Sequence, residues 1–237
     1  MATLRYAALG AFALVVLAVS GYAIHREDEP VSSPAGIDVG APPAISARPV
    51  AAFIGDSYTQ GKGATSPQTR WVSLVAKHER WDTLDFGRGG TGYVTTADSS
   101  GCGLQYCPSY PQMIPTVEQY RPSVIVVAGG QNDFAAWDED PAATAASVDG
   151  FYAKLRTTFP KARIIAVGPS TPQPAVTLQV AAFSATVQTA AAREGAQFVS
   201  LIDPNPIQQA DLLPDHQHVD DRGHAAIAAQ IEKAIDQ

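Results

Sequence analysis

Three side chains that could together perform nucleophilic catalysis lie at opposite ends of this chain. Ser57 follows the apolar run of residues 50–54 through Gly55 and Asp56, and Asp215 and His218 lie near the C-terminus. A serine hydroxyl is a weak nucleophile until a neighbouring base removes its proton, and histidine is the most common base. His218 could supply that base and Asp215 a carboxylate that orients it, so these residue types suit serine-dependent hydrolysis.

Apolar runs that alternate with helical patterns indicate the elements that must position these side chains. Continuous apolar strands separated by amphipathic helices are typical of a parallel sheet covered on both faces. We therefore predict a three-layer α/β/α domain around a flavodoxin-like, parallel, five-stranded sheet. The predicted strands are residues 50–54, 83–86, 124–128, 163–167 and 197–202, and the predicted helices are residues 68–80, 112–120, 142–159, 175–194 and 221–235.

Four short blocks follow predicted strands or precede the last helix. They are GDSY at residues 55–58, GRGGTGY at residues 87–93, GGQND at residues 129–133 and DHQH at residues 215–218. In a parallel sheet, the segments that follow the strands meet at one edge, where ligand sites of open α/β folds lie. In this order, the blocks resemble the SGNH, or GDSL-type, hydrolase family. Its marks are a GDS serine, a glycine after the second strand, a GxND asparagine and a DxxH pair.

The resemblance implies a role for each matching residue. Ser57 is the expected nucleophile, His218 the general base and Asp215 the carboxylate that orients the imidazole. The backbone N–H groups of Ser57 and Gly90, together with the side-chain amide of Asn132, are the expected oxyanion hole. Gly90 is assigned because residues 85–90, DFGRGG, fit the NxGxxG spacing of the family.

Two positions depart from the family pattern, and the choice of glycine stays open. The usual asparagine at the start of the glycine block is Asp85, and the usual proline after the histidine is Val219. Neither position supplies catalytic atoms, so these departures concern loop geometry rather than the class of reaction. Within the glycine-rich block, Gly92 is an alternative donor to Gly90, with Gly89 behind it.

The first 49 residues differ in composition from the rest. Arg5 precedes an uncharged stretch at residues 6–24, which is typical of a secretory signal peptide and is also long enough for an N-terminal membrane anchor. Residues 25–49 contain prolines among Ser, Ala and Gly, which is typical of a linker. We expect a hydrolase domain over residues 50–237, either secreted or anchored on the outer face of the cell membrane through residues 6–24.

The cysteines and the charge narrow the possible partners. Cys102 and Cys107 are the only cysteines, and a close pair in a Gly/Pro/Ser loop predicts a local disulfide in an oxidising compartment. The net charge of −7, without a basic patch, argues against nucleic acid as a partner.

The remaining histidines resemble a metal site only superficially. His216 and His224 lie near His218 among aspartates, but a recognised spacing such as HExxH on a helix is missing. We therefore expect no metal and no cofactor. His224 follows Gly223 at the start of the last predicted helix, where packing or capping is the expected role.

The resemblance and the composition of the N-terminal segment together predict an exported serine esterase that acts on a small-molecule, glycan or lipid ester, and we expect a monomer. A short-acyl or carbohydrate ester is favoured, since the sequence contains no obvious lid insertion and no extended hydrophobic surface segment. Two alternatives stay open. The same residues could serve a lipase or an acyltransferase, and a non-catalytic binding protein of the envelope could keep the fold.

Overall fold

The computed structural model describes residues 48–172 and 176–237. The predicted signal peptide or anchor, residues 1–24, and residues 25–47 of the predicted linker lie outside the described residues. Within the described part, no helix is both long enough and apolar enough to cross a bilayer.

A parallel sheet of five strands forms the centre of the domain. The order across the sheet is β2-β1-β3-β4-β5, and every neighbouring pair is parallel, which confirms the predicted flavodoxin-like sheet. The strands are β1 Val50–Gly55, β2 Asp82–Gly87, β3 Val124–Ala128, β4 Arg163–Val167 and β5 Gln197–Val199.

Helices connect the strands and cover the sheet. Long helices occupy most of the predicted helical regions, and two short ones follow β1 and β3. The helices in the described residues are α1 Ser57–Gln60, α2 Trp71–His78, α3 Tyr110–Glu118, α4 Phe134–Glu139, α5 Pro141–Thr158, α6 Leu178–Arg193 and α7 Asp221–Ile235.

One face of the sheet packs against α2 and α7. Side chains alternate between the two faces of a strand, and those of Phe53, Val126 and Ile165 join one apolar cluster with the buried faces of these two helices. Phe53 meets the ring of Trp71 edge to face, with centroids 5.6 Å apart. Full burial of one such side chain contributes about 1.5–3 kcal/mol to stability. Because many apolar side chains are buried on this face, it contributes much of the stability of the core.

The opposite layer contains α3, α5 and α6 and an aromatic cluster. Tyr93, from the loop after β2, is buried among the rings of Tyr110, Phe151 and Phe183, with centroids between 5.0 and 6.2 Å away. The Tyr93 hydroxyl also lies 2.8 Å from that of Tyr152. The glycine-rich loop that follows β2 is therefore fixed to the core at its far end.

α2, β5 and α6 are shorter than the sequence predicts, and the ends of the first two have local explanations. α2 begins at Trp71 because Arg70 is extended, with a ψ of 143°, and the preceding Pro67–Thr69 form a separate 3-10 turn. β5 ends at Val199 because the chain turns at Ser200. The Ser200 hydroxyl accepts the backbone N–H groups of Ile202 and Asp203.

Candidate active site

A sharp turn between β1 and α1 presents Ser57 at the carboxyl edge of the sheet. The Asp56 carboxylate caps α1 by accepting the Tyr58 N–H at 2.9 Å, and Ser57 is the first helical residue. Gly55 is required at the start of the turn, because a Cβ there would lie 2.1 Å from Thr59 Oγ1. The sequence therefore places a hydroxyl at the sheet edge on a tightly packed turn.

His218 links Ser57 to Asp215 through both nitrogens of its ring. Ser57 Oγ lies 2.9 Å from His218 Nε2, and His218 Nδ1 lies 2.7 Å from Asp215 Oδ2. The spacing of three residues between Asp215 and His218 lets one carboxylate serve two purposes. Its Oδ1 accepts the backbone N–H groups of Gln217 and His218, both at 3.0 Å, while Oδ2 binds the ring.

The Asp215 carboxylate fixes the tautomer of His218. The backbone N–H of His218, followed by its ring and the backbone N–H of Gln217, holds the pKa of Asp215 far below its ordinary value of 3.8. An ionised carboxylate only accepts hydrogen bonds, so Nδ1 carries the ring proton. Nε2 is then an acceptor, and the Ser57 hydroxyl donates to it.

Among the glycines of the loop after β2, Gly90 is the one that suits an oxyanion donor. The Gly92 N–H donates to the Thr95 carbonyl at 2.9 Å, and the Gly89 N–H donates to the Gln60 side chain at 3.0 Å. The N–H of Gly90 has no hydrogen-bond partner among the described residues. Its φ of +78° lies in the left-handed region, which glycine adopts readily.

The side-chain amide of Asn132 is held in a defined orientation. Its Nδ2 donates to the Thr91 carbonyl at 2.9 Å, which requires the NH₂ group to face the loop after β2. An amide nitrogen carries two N–H groups, so one remains for a ligand. Ser57, Gly90, Asn132 and His218 all line one cleft of about 940 Å³. The structure thus brings the predicted residues together, with Asp215 bonded to His218.

Asp133 has a positional role that the sequence analysis did not assign. Its buried carboxylate accepts the N–H groups of Tyr93, Val94 and Thr95, at 2.7 to 3.1 Å, and the Thr95 hydroxyl at 2.7 Å. A Cβ on Gly92 would lie 2.3 Å from the same carboxylate. Asp133 therefore locks the loop carrying Gly90 to the loop carrying Asn132, and its place in the GxND block was the available signal.

The two departures from the family pattern have local explanations. Asp85 accepts the Gly87 N–H at 2.8 Å with one oxygen and binds Arg70 at 2.6 Å with the other, so Arg70 balances its charge. Val219 is fully buried and packs against Gly223 of α7. A Cβ added to Gly223 would lie only 2.4 Å from Val219 Cβ, so the glycine leaves room for the valine.

The predicted disulfide is present and forms part of one wall of the cleft. Cys102 and Cys107 are bonded, and the loop closes through paired backbone hydrogen bonds between Ala97 and Cys107. A Cβ on Gly89 would lie 2.4 Å from the Gly101 carbonyl oxygen. The disulfide loop therefore packs directly against the backbone that carries Gly90, a contact that spacing alone did not indicate.

The three C-terminal histidines occupy different environments. His224 is fully buried, with Nδ1 3.5 Å from the Trp71 N–H and Nε2 3.1 Å from the Lys62 carbonyl, so it joins α7 to neighbouring segments. His216 is exposed and has a φ of 55°. Among the described residues, the one set of potential metal ligands that converges does not include these histidines. It consists of His78, Glu79 and Asp236 near the C-terminal ends of α2 and α7.

Comparisons with known proteins agree with this architecture. Residues 53–226 match the model of the GDSL-like lipase/acylhydrolase family. A search among curated proteins finds no match. The fold is shared with several solved structures, all of low sequence identity.

One such structure is a carbohydrate esterase family 2 enzyme with a carbohydrate-binding domain from Corynascus thermopiles (Myceliophthora fergusii). It is 22% identical, with a TM-score of 0.60, over 82% of this chain and 68% of that one. A two-domain esterase active on acetylated mannans is 19% identical, with a TM-score of 0.56, over 79% of this chain and 49% of that one. The psychrotrophic esterase EstA from Pseudoalteromonas sp. is 14% identical, with a TM-score of 0.59, over 79% of this chain and 97% of that one. Because the family model covers most of its length, this chain belongs to the GDSL-like lipase/acylhydrolase family.

Proposed function

We propose that the protein is an exported serine esterase that hydrolyses a carboxylic ester, with a short-acyl or carbohydrate ester as substrate. The observation that carries the proposal is the continuous line of hydrogen bonds from Ser57 through His218 to Asp215. Ser57 and His218 line a cleft that Gly90 and Asn132 also line. Nucleophile, base and oxyanion donors are the parts that ester cleavage requires.

The first half of the reaction forms an acyl-enzyme. Ser57 Oγ attacks the acyl carbon while His218 Nε2 takes the hydroxyl proton, and the carbonyl oxygen becomes an oxyanion. The N–H groups of Ser57 and Gly90 and the free N–H of Asn132 stabilise that charge. His218 then gives its proton to the departing alkoxide, so the alcohol leaves neutral. Asp215 stabilises the imidazolium throughout, because its low pKa keeps it ionised.

The second half returns the enzyme to its starting state. A water molecule takes the place of the alcohol, and His218 Nε2 removes its proton as it attacks the acyl-enzyme. Collapse of the second tetrahedral intermediate breaks the bond to Ser57 Oγ, which recovers its proton from His218. A carboxylic acid is released. Attack by another hydroxyl in place of water would give acyl transfer.

The lining of the cleft supports a polar substrate. More than half of the residues that line it have neutral polar side chains, among them Gln60, Ser99, Ser100, Gln179 and Gln217. Amides and hydroxyls both donate and accept hydrogen bonds, as a polyol requires. Two of the structures that share the fold are, by their names, a carbohydrate esterase and an esterase active on acetylated mannans.

Export is part of the proposal. The composition of residues 1–24 and the disulfide between Cys102 and Cys107 both support a location outside the cytoplasm. We expect the domain to be secreted or anchored on the outer face of the cell membrane.

Hydrolysis of a panel of esters tests the proposal. Acetyl, butyryl and long-acyl esters of 4-nitrophenol and acetylated sugars should be cleaved, with a preference for acetyl over long-acyl groups. The variant Ser57→Ala should lose this activity. Ser66→Ala removes a hydroxyl that does not line the cleft and should keep the activity. A folded wild-type protein that cleaves none of these esters would favour a non-catalytic binding protein. Transfer of the acyl group to added alcohols in place of hydrolysis would favour an acyltransferase.

A further inference from the structure

The cleft has an unusual charge for this protein. The full chain has a net charge of −7, yet no aspartate or glutamate is among the described residues that line the cleft. Lys62 is the one lysine or arginine among those residues. A cleft in an acidic protein that excludes carboxylates and contains one ammonium group favours an anionic ligand over a cationic one.

Lys62 is held close to the nucleophile by its backbone, while its side chain is available. Its N–H donates to the Ser57 carbonyl at 2.8 Å, and its own carbonyl accepts from the buried His224 ring at 3.1 Å. The residue is exposed, and its ammonium group forms no salt bridge with the described residues. Asp215, on the loop that carries His218, is bonded to the His218 ring.

The Lys62 segment lies on the His218 side of the cleft. A Cβ on the next residue, Gly63, would lie 2.1 Å from the carbonyl oxygen of Val219, which follows His218 in the chain. In the proposed mechanism, His218 gives its proton to the departing alcohol. The alcohol portion of the ester must therefore lie beside His218 and along the wall that contains Lys62.

We propose that Lys62 makes the cleft selective for esters whose alcohol portion carries a carboxylate, such as an acylated sugar acid. A single ammonium group matches the single charge of a carboxylate. The inference rests on the proposed function, because it uses the direction in which the alcohol leaves. Since Lys62 is exposed, the attraction should be modest and should weaken as salt is added.

Two acetyl esters that differ by one carboxylate on the alcohol portion test the inference. Phenyl acetate and 3-acetoxybenzoate have similar leaving groups, so the ratio of their kcat/KM values reports recognition of the carboxylate. We expect Lys62→Gln to lower the preference for 3-acetoxybenzoate by about two- to fivefold. Lys62→Arg should retain most of it. Lys77→Gln removes the same charge from an exposed site on α2 and should leave the ratio unchanged.

Esters with the charge on the acyl portion check the direction. The ratio of kcat/KM for the phenyl half-ester of succinate to that for phenyl butyrate should be the same in the wild type and in Lys62→Gln. An equal effect of Lys62→Gln and Lys77→Gln, or an effect confined to the acyl side, would overturn the inference. Failure of the wild type to cleave phenyl acetate would instead contradict the proposed function, so the two failures are distinguishable.

Discussion

At the scale of single residues, three histidines within nine positions of one another have separate roles that their contacts define. His218 contacts Ser57 and Asp215, His224 contacts two backbone groups, and His216 is exposed. We predict that His218→Ala lowers kcat by several orders of magnitude, as loss of a triad member does. His216→Ala should have near wild-type kinetics. Steady-state hydrolysis of 4-nitrophenyl acetate measures both.

His224→Ala should mainly affect stability. Removal of the buried ring leaves the buried N–H of Trp71 without its acceptor, and each buried polar group left unsatisfied costs about 1–3 kcal/mol. Urea unfolding should show a lower free energy of unfolding, while the fraction that stays folded still cleaves ester. Loss of activity in a fully folded His224→Ala protein would mean that His224 takes part in the chemistry.

Asn132 provides the most specific test of the oxyanion assignment. One N–H of its amide is bound to the Thr91 carbonyl, and the other has no partner among the residues that the structure describes and can bind a developing charge. We predict that Asn132→Ala lowers kcat by about 10²–10³ with little change in KM, because the interaction strengthens in the transition state. Asn132→Asp keeps the shape but offers no donor, so it should be at least as impaired. Near wild-type kcat in either folded variant would make the amide structural.

The residues of the four blocks were accessible from sequence because their types and order are distinctive. Asp133 and Lys62 were not assigned, since a buried carboxylate that ties two loops together and a lysine on a cleft wall have no spacing signature. Their roles depend on which loops meet, and that is a property of the assembled sheet.

At the scale of elements, α1 carries Ser57, the proposed nucleophile, and also contacts the loop of His218, the proposed general base. The hydroxyl of Tyr58, the second residue of α1, donates to the Gln217 carbonyl, and its ring lies 5.8 Å from that of His218. Tyr58 is almost fully buried and burial raises the pKa of its hydroxyl, so it stays a neutral donor. A helix of four residues thus contacts both ends of the Ser57–His218 pair.

We predict that Tyr58→Phe lowers kcat by about tenfold with little change in KM. This is the effect expected when one neutral hydrogen bond that orients His218 is lost. The rate at which a fluorophosphonate labels Ser57 should fall in parallel. Tyr106→Phe is the matched control. It removes an exposed hydroxyl of the disulfide loop that donates to the Gln112 side chain, and its kcat and labelling rate should be unaffected. Unchanged labelling in Tyr58→Phe would show that the His218 loop is held by other contacts.

The buried strands were predictable, while the short helices and the ends of some elements were not. β3 and β4 lie where the apolar runs predict them, because buried parallel strands have continuous apolar sequences. α1 and α4 have four and six residues, too few to establish a helical period. The ends of α2 and β5 depend on local backbone geometry at Arg70 and on hydrogen bonds to Ser200 that hydrophobic patterns do not report.

At the scale of the whole molecule, the buried Asp56 couples stability to pH. Burial raises the pKa of Asp56 from 3.8 to about 7, with the nearby Asp133 adding to the shift and the Tyr58 N–H opposing it. Between these two values the folded state holds a proton that the unfolded state has lost. This contribution to stability therefore falls as the pH rises from about 4 to about 7 and is constant above.

Asp56→Asn removes this titration and should keep the cap on α1, because the amide oxygen can still accept the Tyr58 N–H. The free energy of unfolding of the variant, relative to that of the wild type, should increase between pH 4 and pH 7 and level off above pH 7. Urea unfolding at several pH values measures this difference. A difference that does not change with pH would mean that Asp56 is ionised in the folded protein throughout.

The three-layer architecture followed from the alternation of strands and helices, and the pairing of Ser57 with His218 was implied by the residue types and by the resemblance to the family. The cleft itself was not predictable, because its walls are loops from distant parts of the sequence, such as the disulfide loop and the segment after β4. Loop packing depends on contacts such as Gly101 against Gly89, which no local pattern encodes.

The identity of the nucleophile is the central claim, and covalent labelling tests it most directly. Incubation with a fluorophosphonate, digestion and mass spectrometry should place one adduct on Ser57 in the wild type. Ser57→Ala should give no adduct and no turnover of 4-nitrophenyl acetate, and His218→Ala should label far more slowly. An adduct on another residue of the wild type, or full turnover by a folded Ser57→Ala protein, would contradict the account.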